Sequence, residues 1–179
     1  NLTVAQEKWK QGLSEYGKLS IDTVKILIPK SFNNQEWLKY ITQQWQNKFD
    51  FFCGIEVVPD EKYAARIANG DYQIALYQLS CEYNNPESIL SNFETGNIKN
   101  VISYSNPKFD ELINESSKVQ TLSESVKIYS EAEKLVIDDY IYTPIFYQKE
   151  FLVYKDTIKD IEYNPFTKQF DFSNAKNFK

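Results

Sequence analysis

Glu82 is the residue of this chain best placed to do chemistry. It follows Tyr72-Gln-Ile-Ala-Leu-Tyr-Gln-Leu-Ser-Cys81, which reads as a strand, and precedes Tyr83 and Asn85-Pro86, which reads as a helix start. The carboxyl end of a strand is where α/β folds hold their ligands. A carboxylate there can accept a charge-assisted hydrogen bond from an ammonium group. It can also share acid–base work if a second carboxylate converges on it, and Asp71 and Asp110 are the candidates for that partner. Acids in loops are more often simply solvated or cap a helix, so position alone leaves the role of Glu82 open.

Other catalytic and metal chemistries find little support. The chain has no histidine, which removes Ser-His-Asp and Cys-His catalysis and the commonest zinc sites. Its two cysteines, Cys53 and Cys81, do not make a disulfide framework; both are expected to be buried free thiols. Asp138-Asp139 closes a helix without a third ligand nearby and reads as a solvated face. No cofactor is expected. A net charge of -5 with acids and bases interspersed speaks against a nucleic-acid partner, which would want a basic face. No apolar run approaches the roughly 20 residues of a membrane-spanning helix. With no initiator methionine and no leader, the chain reads as a fragment whose targeting signals lie outside it.

The elements that must position Glu82 come from hydrophobic spacing. Thr3 and Gln6 form a capping-box pattern for a first helix carrying Ala5, Trp9, Leu13 and Tyr16 on one face, closed by Gly17. Val24 to Pro29 is an almost continuously apolar strand, the mark of burial on both faces. Asn33 or Asn34 caps a helix with Trp37, Leu38, Ile41, Trp45 and Phe49 inward; the tryptophans are expected in the core. Ile55 to Pro59 is a second strand, Asp60 caps the next helix, and Tyr72 to Leu79 is the third strand. The order β-α-β-α-β, with connections long enough for parallel crossovers, predicts an α/β fold with a mainly parallel sheet flanked by helices. The second half is more helical. Starts are expected at Asn85-Pro86, Asn106-Pro107 and near Ser123, and strand candidates at Pro144 to Gln148 and Phe151 to Tyr154. The stretch from Asn164 to Lys179 is polar and weakly patterned.

In this order the elements resemble the C-terminal lobe of the family 5 extracellular solute-binding proteins, which include oligopeptide-, dipeptide- and nickel-binding members. Four segments carry the resemblance. They are the helix ending Ser14-Glu-Tyr-Gly17, then Asn69-Gly-Asp-Tyr-Gln-Ile-Ala75 leading to Cys81-Glu-Tyr-Asn-Asn-Pro86, then Tyr104-Ser-Asn-Pro-Lys-Phe-Asp-Glu-Leu-Ile113, and finally Tyr129-Ser-Glu-Ala-Glu-Lys-Leu135 through Pro144-Ile-Phe-Tyr147 to Asn164-Pro165. The resemblance implies one lobe of a type II periplasmic-binding-protein fold, with residues 1–163 as the ligand-binding lobe and 164–179 as a tail packing toward a missing N-terminal lobe.

It also implies roles. An acid at the Glu82 position pairs with the α-ammonium group of a peptide, and the strand end from Gln78 through Leu79 to Ser80 hydrogen-bonds the peptide backbone. Tyr83, Tyr147 and Gln148 complete the expected ligand-binding set. The implied function is substrate capture without catalysis. An extracellular lipoprotein or periplasmic protein would deliver oligopeptides to an ABC permease in the membrane. The alternative keeps the fold but binds a sugar, metal chelate or signalling peptide as a sensor or scavenger. The sequence departs from the family pattern at Glu82, which replaces an Asp, at Leu79, where Trp is frequent, and at Gln73, which replaces a second Asp. Leu76 and Tyr77 stand where some members place an arginine for the ligand carboxylate, so recognition of that carboxylate does not carry over.

Overall fold

The computed structural model describes residues 1–32, 35–147, 151 and 153–177. It divides into two compact units, Asn1–Gln78 and Leu79–Lys179. The first unit contains α1 (Leu2–Glu15), β1 (Thr23–Pro29), α2 (Glu36–Phe49), β2 (Phe52–Val58), α3 (Asp60–Ala68) and β3 (Ile74–Ala75). Its three strands are parallel in the order β2-β1-β3.

β1 is buried as its apolar run requires. Ile26, Leu27 and Ile28 are consecutive and almost fully covered, so both faces of the strand are packed. Ile26 and Ile28 join Leu38 of α2 and Cys53 of β2 in one cluster, while the alternation of a strand turns Leu27 to the opposite face. α3 also packs against β1. Each such side chain contributes about 1.5–3 kcal/mol on burial, which makes this strand the thermodynamic centre of the unit.

The tryptophans are not core residues as expected. Leu38 and Thr42 hold the buried line of α2, while Trp37 and Trp45 are half-buried at its flanks. Trp9 stacks on Phe51 with ring centroids 4.9 Å apart and tilts against Phe49 at 5.7 Å. These rings are too large for a sheet–helix seam filled by Ile and Leu, so they close its rim instead.

Capping corrects two expectations. α1 starts one residue after Asn1, whose Oδ1 accepts the Thr3 N–H at 3.0 Å; Asn is a stronger N-cap than the Thr3 expected for the role. At the other end Gly17 adopts φ +68°, the Gly17 N–H donates to Ser14 O, and the Lys18 N–H donates to Leu13 O, which is a Schellman closure. Asp60 does not cap α3. Its Oδ1 accepts the Ser31 N–H at 3.0 Å, a bond that holds its carboxyl below the usual range and ties the turn after β1 to the start of α3. The expected cap at Asn33 or Asn34 lies outside the described residues.

The third strand is far shorter than the predicted 72–79. Only Ile74 and Ala75 pair with β1, opposite Ile26 and Leu27. Gln73 substitutes its side chain for a ladder rung, its Oε1 accepting the Lys25 N–H at 2.9 Å. Beyond Ala75 the Leu76 N–H still donates to Leu27 O, but the Leu76 carbonyl accepts the Tyr63 hydroxyl at 2.6 Å and the ladder stops.

The second unit holds α4 (Glu87–Leu90), α5 (Pro107–Ser116), α6 (Leu122–Asp138) and the short strands β4 (Ile158–Lys159), β5 (Glu162–Asn164), β6 (Gln169–Asp171) and β7 (Lys176–Asn177). α5 begins as its sequence indicates: Asn106 Oδ1 accepts from the N–H groups of Lys108 and Phe109, and Pro107 occupies the first helical position. Thr121 caps α6 in a reciprocal box with Glu124. Phe109, fully buried, is the centre of a core of Leu90, Phe93, Tyr104, Leu112, Ile113, Tyr129, Ala132 and Val136.

Other expectations for this half need revision. The apolar spacing after Ser123 puts Val126, Tyr129, Ala132, Leu135 and Val136 inward, but Val126 faces solvent and Leu135 is half-buried. Among the described residues of 144–147 and 151–154 there is no strand. The polar stretch from Asn164 carries β6 and β7, which pair antiparallel with β5 and β4 just before it. Asn164 Oδ1 accepts the N–H groups of Phe166 and Thr167 to build the hairpin turn, and Tyr163 stacks on Phe170 at 4.7 Å. Asp139 is not a merely solvated acid, because its Oδ2 accepts the Tyr104 hydroxyl at 2.7 Å and Asn106 Nδ2 at 3.1 Å.

Candidate functional site

Glu82 stands in the loop that enters α4, and both its backbone and its carboxylate are held. The Glu82 N–H donates to the hydroxyl of Ser88, a buried residue of α4, at 2.6 Å. The loop between them is tightened by Asn85, whose Oδ1 accepts the Glu87 N–H at 3.0 Å, and by a bond from the Asn85 N–H to Tyr83 O at 2.8 Å. This short Asx turn leads the chain into α4.

Glu82 Oε1 accepts a charge-assisted bond from Lys99 Nζ at 2.5 Å. The two side chains remain 63% and 50% exposed, so this is an accessible carboxylate carrying an ammonium rather than a buried ion pair. Tyr83 lies within the same electrostatic group. Partial burial and the neighbouring Glu87 and Glu82 carboxylates push its phenol up, while Lys99 pulls it down. Glu82, Glu87 and Lys99 therefore all act on the Tyr83 phenol, two acids against one cation.

The predicted residues distribute unevenly. Glu82 and Tyr83 belong to this group. Gln78 is exposed at the end of the first unit, and Ser80 is exposed in the second. Leu79 is half-buried against the core of the second unit. Tyr147 is 95% exposed, and Gln148 lies outside the described residues. From Leu79 to Cys81 the backbone groups make no hydrogen bond among the described residues, which leaves them open to an outside partner. Cys81 is exposed, not buried as expected, because it belongs to this segment; Cys53 is buried in β2, which pushes its thiol up.

The acids considered as partners of Glu82 are committed elsewhere. Asp71 Oδ2 pairs with Arg66 Nε at 3.1 Å, and the same guanidinium bonds Glu56 Oε1 at 2.8 Å, which draws the Glu56 carboxyl down. Asp110 Oδ1 accepts the Thr95 N–H at 3.0 Å. What the Glu82 group can do is accept an ammonium.

Sequence reasoning missed Lys99 and Ser88. Ser88 is the second residue of α4, where the only signal is its type and its six-residue distance from Glu82. Lys99 belongs to Asn97-Ile-Lys-Asn100, a turn-forming tetrad whose neighbourhood no spacing rule reveals.

No family model matches the chain. In sequence it is similar to the probable D,D-dipeptide-binding periplasmic protein DdpA of Escherichia coli (strain K12). The two are 24% identical over 162 residues, which cover 87% of this chain and 31% of that one. In structure it is similar to the substrate-binding domain of an oligopeptide ABC transporter from Bacillus anthracis str. Ames, with a TM-score of 0.84 and 20% identity, covering 100% of this chain and 35% of the other. Peptide-bound OppA of Listeria monocytogenes gives a TM-score of 0.79 at 25% identity over 100% of this chain and 34% of that one. The chain thus spans about a third of the length of each of these proteins. The resemblance carried by the four motifs is found in both sequence and fold, and the α/β fold is that of the solute-binding proteins.

Proposed function

From this likeness to peptide-binding solute-binding proteins, we propose that the chain is the substrate-capture lobe of an extracellular peptide-binding protein that delivers oligopeptides to an ABC importer. Residues 1–163 serve as the ligand-binding lobe, and 164–179 return toward the rest of the parent protein. The whole acts at the cell surface, as a lipoprotein, or in the periplasm. Its task is binding, with no covalent step. Glu82 takes the α-ammonium of the peptide, and the backbone of Gln78, Leu79 and Ser80 pairs with the peptide main chain. Tyr83, Tyr147 and Gln148 line the ligand. Pairing through the main chain is blind to side chains and suits a broad range of peptides.

The observation that supports this reading most is the state of Glu82 itself. A primary ammonium already rests on its carboxylate, so the site accommodates the group that begins every unblocked peptide.

The test is Glu82→Gln in the complete protein, read by calorimetric titration with a short unblocked peptide. A hydrogen bond to a charged group is worth about 1.5–3 kcal/mol, so affinity should fall by about tenfold or more. Unchanged affinity would remove Glu82 from the role. Native mass spectrometry of the purified protein tests the ligand class. A ladder of heterogeneous peptides supports broad capture, and a single defined species refutes it.

A further inference from the structure

Lys99 is more than a neighbour of Glu82, because it presents the same chemical group as the ligand proposed for that site. Its Nζ is a primary ammonium on an alkyl stem, and it occupies Glu82 Oε1 at 2.5 Å. A second ammonium on that carboxylate would lie against the first as a like charge, so a peptide's α-ammonium takes full hold of Glu82 only when Lys99 gives way. We propose that Lys99 is a specificity-determining residue that competes with the peptide amino terminus for Glu82, lowering the advantage of an unblocked amine over a blocked one. This inference rests on Glu82 being the ammonium anchor.

The loop that carries Lys99 is built to keep it there. The Lys99 N–H donates to Asn97 Oδ1 at 2.9 Å, and the Lys99 carbonyl accepts the Val101 N–H at 2.9 Å, so its backbone is pinned on both sides. The next residue, Asn100, uses its whole amide. Nδ2 donates to the carbonyls of Glu94 at 2.9 Å and Tyr104 at 2.7 Å, and Oδ1 accepts the Tyr104 N–H at 3.0 Å. Tyr104 belongs to the buried core of the unit, so the turn is anchored to the most rigid part of its surroundings. On the other side Ser88 fixes the Glu82 backbone. Two fixed backbones leave only side-chain torsions to change when a ligand arrives. Displacement is therefore local and inexpensive, as an exchange of one ammonium for another should be.

The charge count points the same way. Glu82, Glu87 and Lys99 act on a common neighbour, Tyr83, and together carry one net negative charge. Without Lys99 the same group carries two. An incoming cation would meet a free carboxylate and a stronger field, while a blocked, uncharged peptide end would notice little of either.

The experiment measures two peptides of one sequence, one with a free amino terminus and one N-acetylated, on three forms of the complete protein: wild type, Lys99→Gln and Glu82→Gln. Thermal unfolding of each variant checks that it is folded. Lys99→Gln should tighten binding of the free-amino peptide by about two- to fivefold, the worth of an exposed ion pair, and leave the acetylated peptide unchanged. Lys99→Arg, which keeps the charge, should restore wild-type discrimination. Equal affinity of wild type and Lys99→Gln for the free-amino peptide would overturn competition, and so would weaker binding by the variant. Equal tightening of both peptides would reduce Lys99 to a general charge and also overturn it. The reading of Glu82 as anchor fails separately: Glu82→Gln would then discriminate free from acetylated ends as well as the wild type does.

Discussion

Tyr104→Phe removes one oxygen from the polar knot that joins the start of α5 to the end of α6. The hydroxyl donates to Asp139 Oδ2 at 2.7 Å and accepts from Asn106 Nδ2 at 3.1 Å. The ring stays where it is, 5.7 Å from Phe109, so packing is kept and only the bonds are lost. A bond to a charged acceptor is worth about 1.5–3 kcal/mol, and the low end applies because Asp139 is exposed and retains Asn106. A loss of about 1.5 kcal/mol raises the opening equilibrium of α6 about tenfold. Amide hydrogen exchange of α6 reads this locally, without requiring the whole protein to unfold in one step.

The pH dependence has a definite sign. Burial, then the bond to Asp139, pushes the Tyr104 phenol from its ordinary 10.0 up to about 12. A group raised in the folded state contributes fully below its unfolded pKa and loses that contribution as pH climbs through the folded one. The difference between wild type and Tyr104→Phe should therefore hold below pH 10 and fade as pH rises to about 12. Unchanged exchange in Tyr104→Phe would refute the reasoning. So would an equal cost of the same change made on top of Asp139→Ala, since the hydroxyl and carboxylate would then not be coupled.

Three further outcomes are expected. Phe109→Ala empties the centre of the second unit, where Phe93 and Tyr104 pack edge-on against the ring, and should cost about 3–5 kcal/mol in the exchange of α5 and α6 amides. Gly17→Ala should destabilise α1 by about 1–2 kcal/mol in thermal or chemical unfolding; the space for a methyl is open, and the strain comes from φ +68° alone. Cys81 should be alkylated well before Cys53, and a bound peptide should slow its reaction; equal rates would contradict the exposed segment, and no protection by peptide would contradict the proposed pairing.

Legibility in the sequence followed the range of the interactions. β1 was readable because a short, almost wholly apolar Val-Lys-Ile-Leu-Ile run has few other uses, and α5 because Asn106-Pro107 writes its own cap. The end of β3 was not readable. It is set by the Tyr63 hydroxyl reaching Leu76 O and by the Gln73 side chain standing in for a rung, contacts that cross from a helix or from an adjacent strand. The hairpin after Glu162 was hidden because its strands are three residues long and mostly polar, too short for alternation to register. At the site, Glu82 is singled out as an acid closing an expected strand, but the observed strand ends at Ala75 and Glu82 stands in the loop before α4. Its partner Lys99 lies 17 positions onward, and pairing at that distance leaves no periodic trace.

The parallel ladder also dictates an order of events as the chain is made. Thr23 pairs with Phe52 and Ile26 with Ile74, so Ile26, Leu27 and Ile28 leave the ribosome long before either neighbouring strand exists. Loops of that length close slowly, and meanwhile the most apolar stretch of the first unit has both edges and both faces uncovered. α5 and α6, by contrast, pack on each other as near neighbours in sequence and can associate almost as soon as they are synthesised. The nascent first unit is therefore the more aggregation-exposed half of this chain.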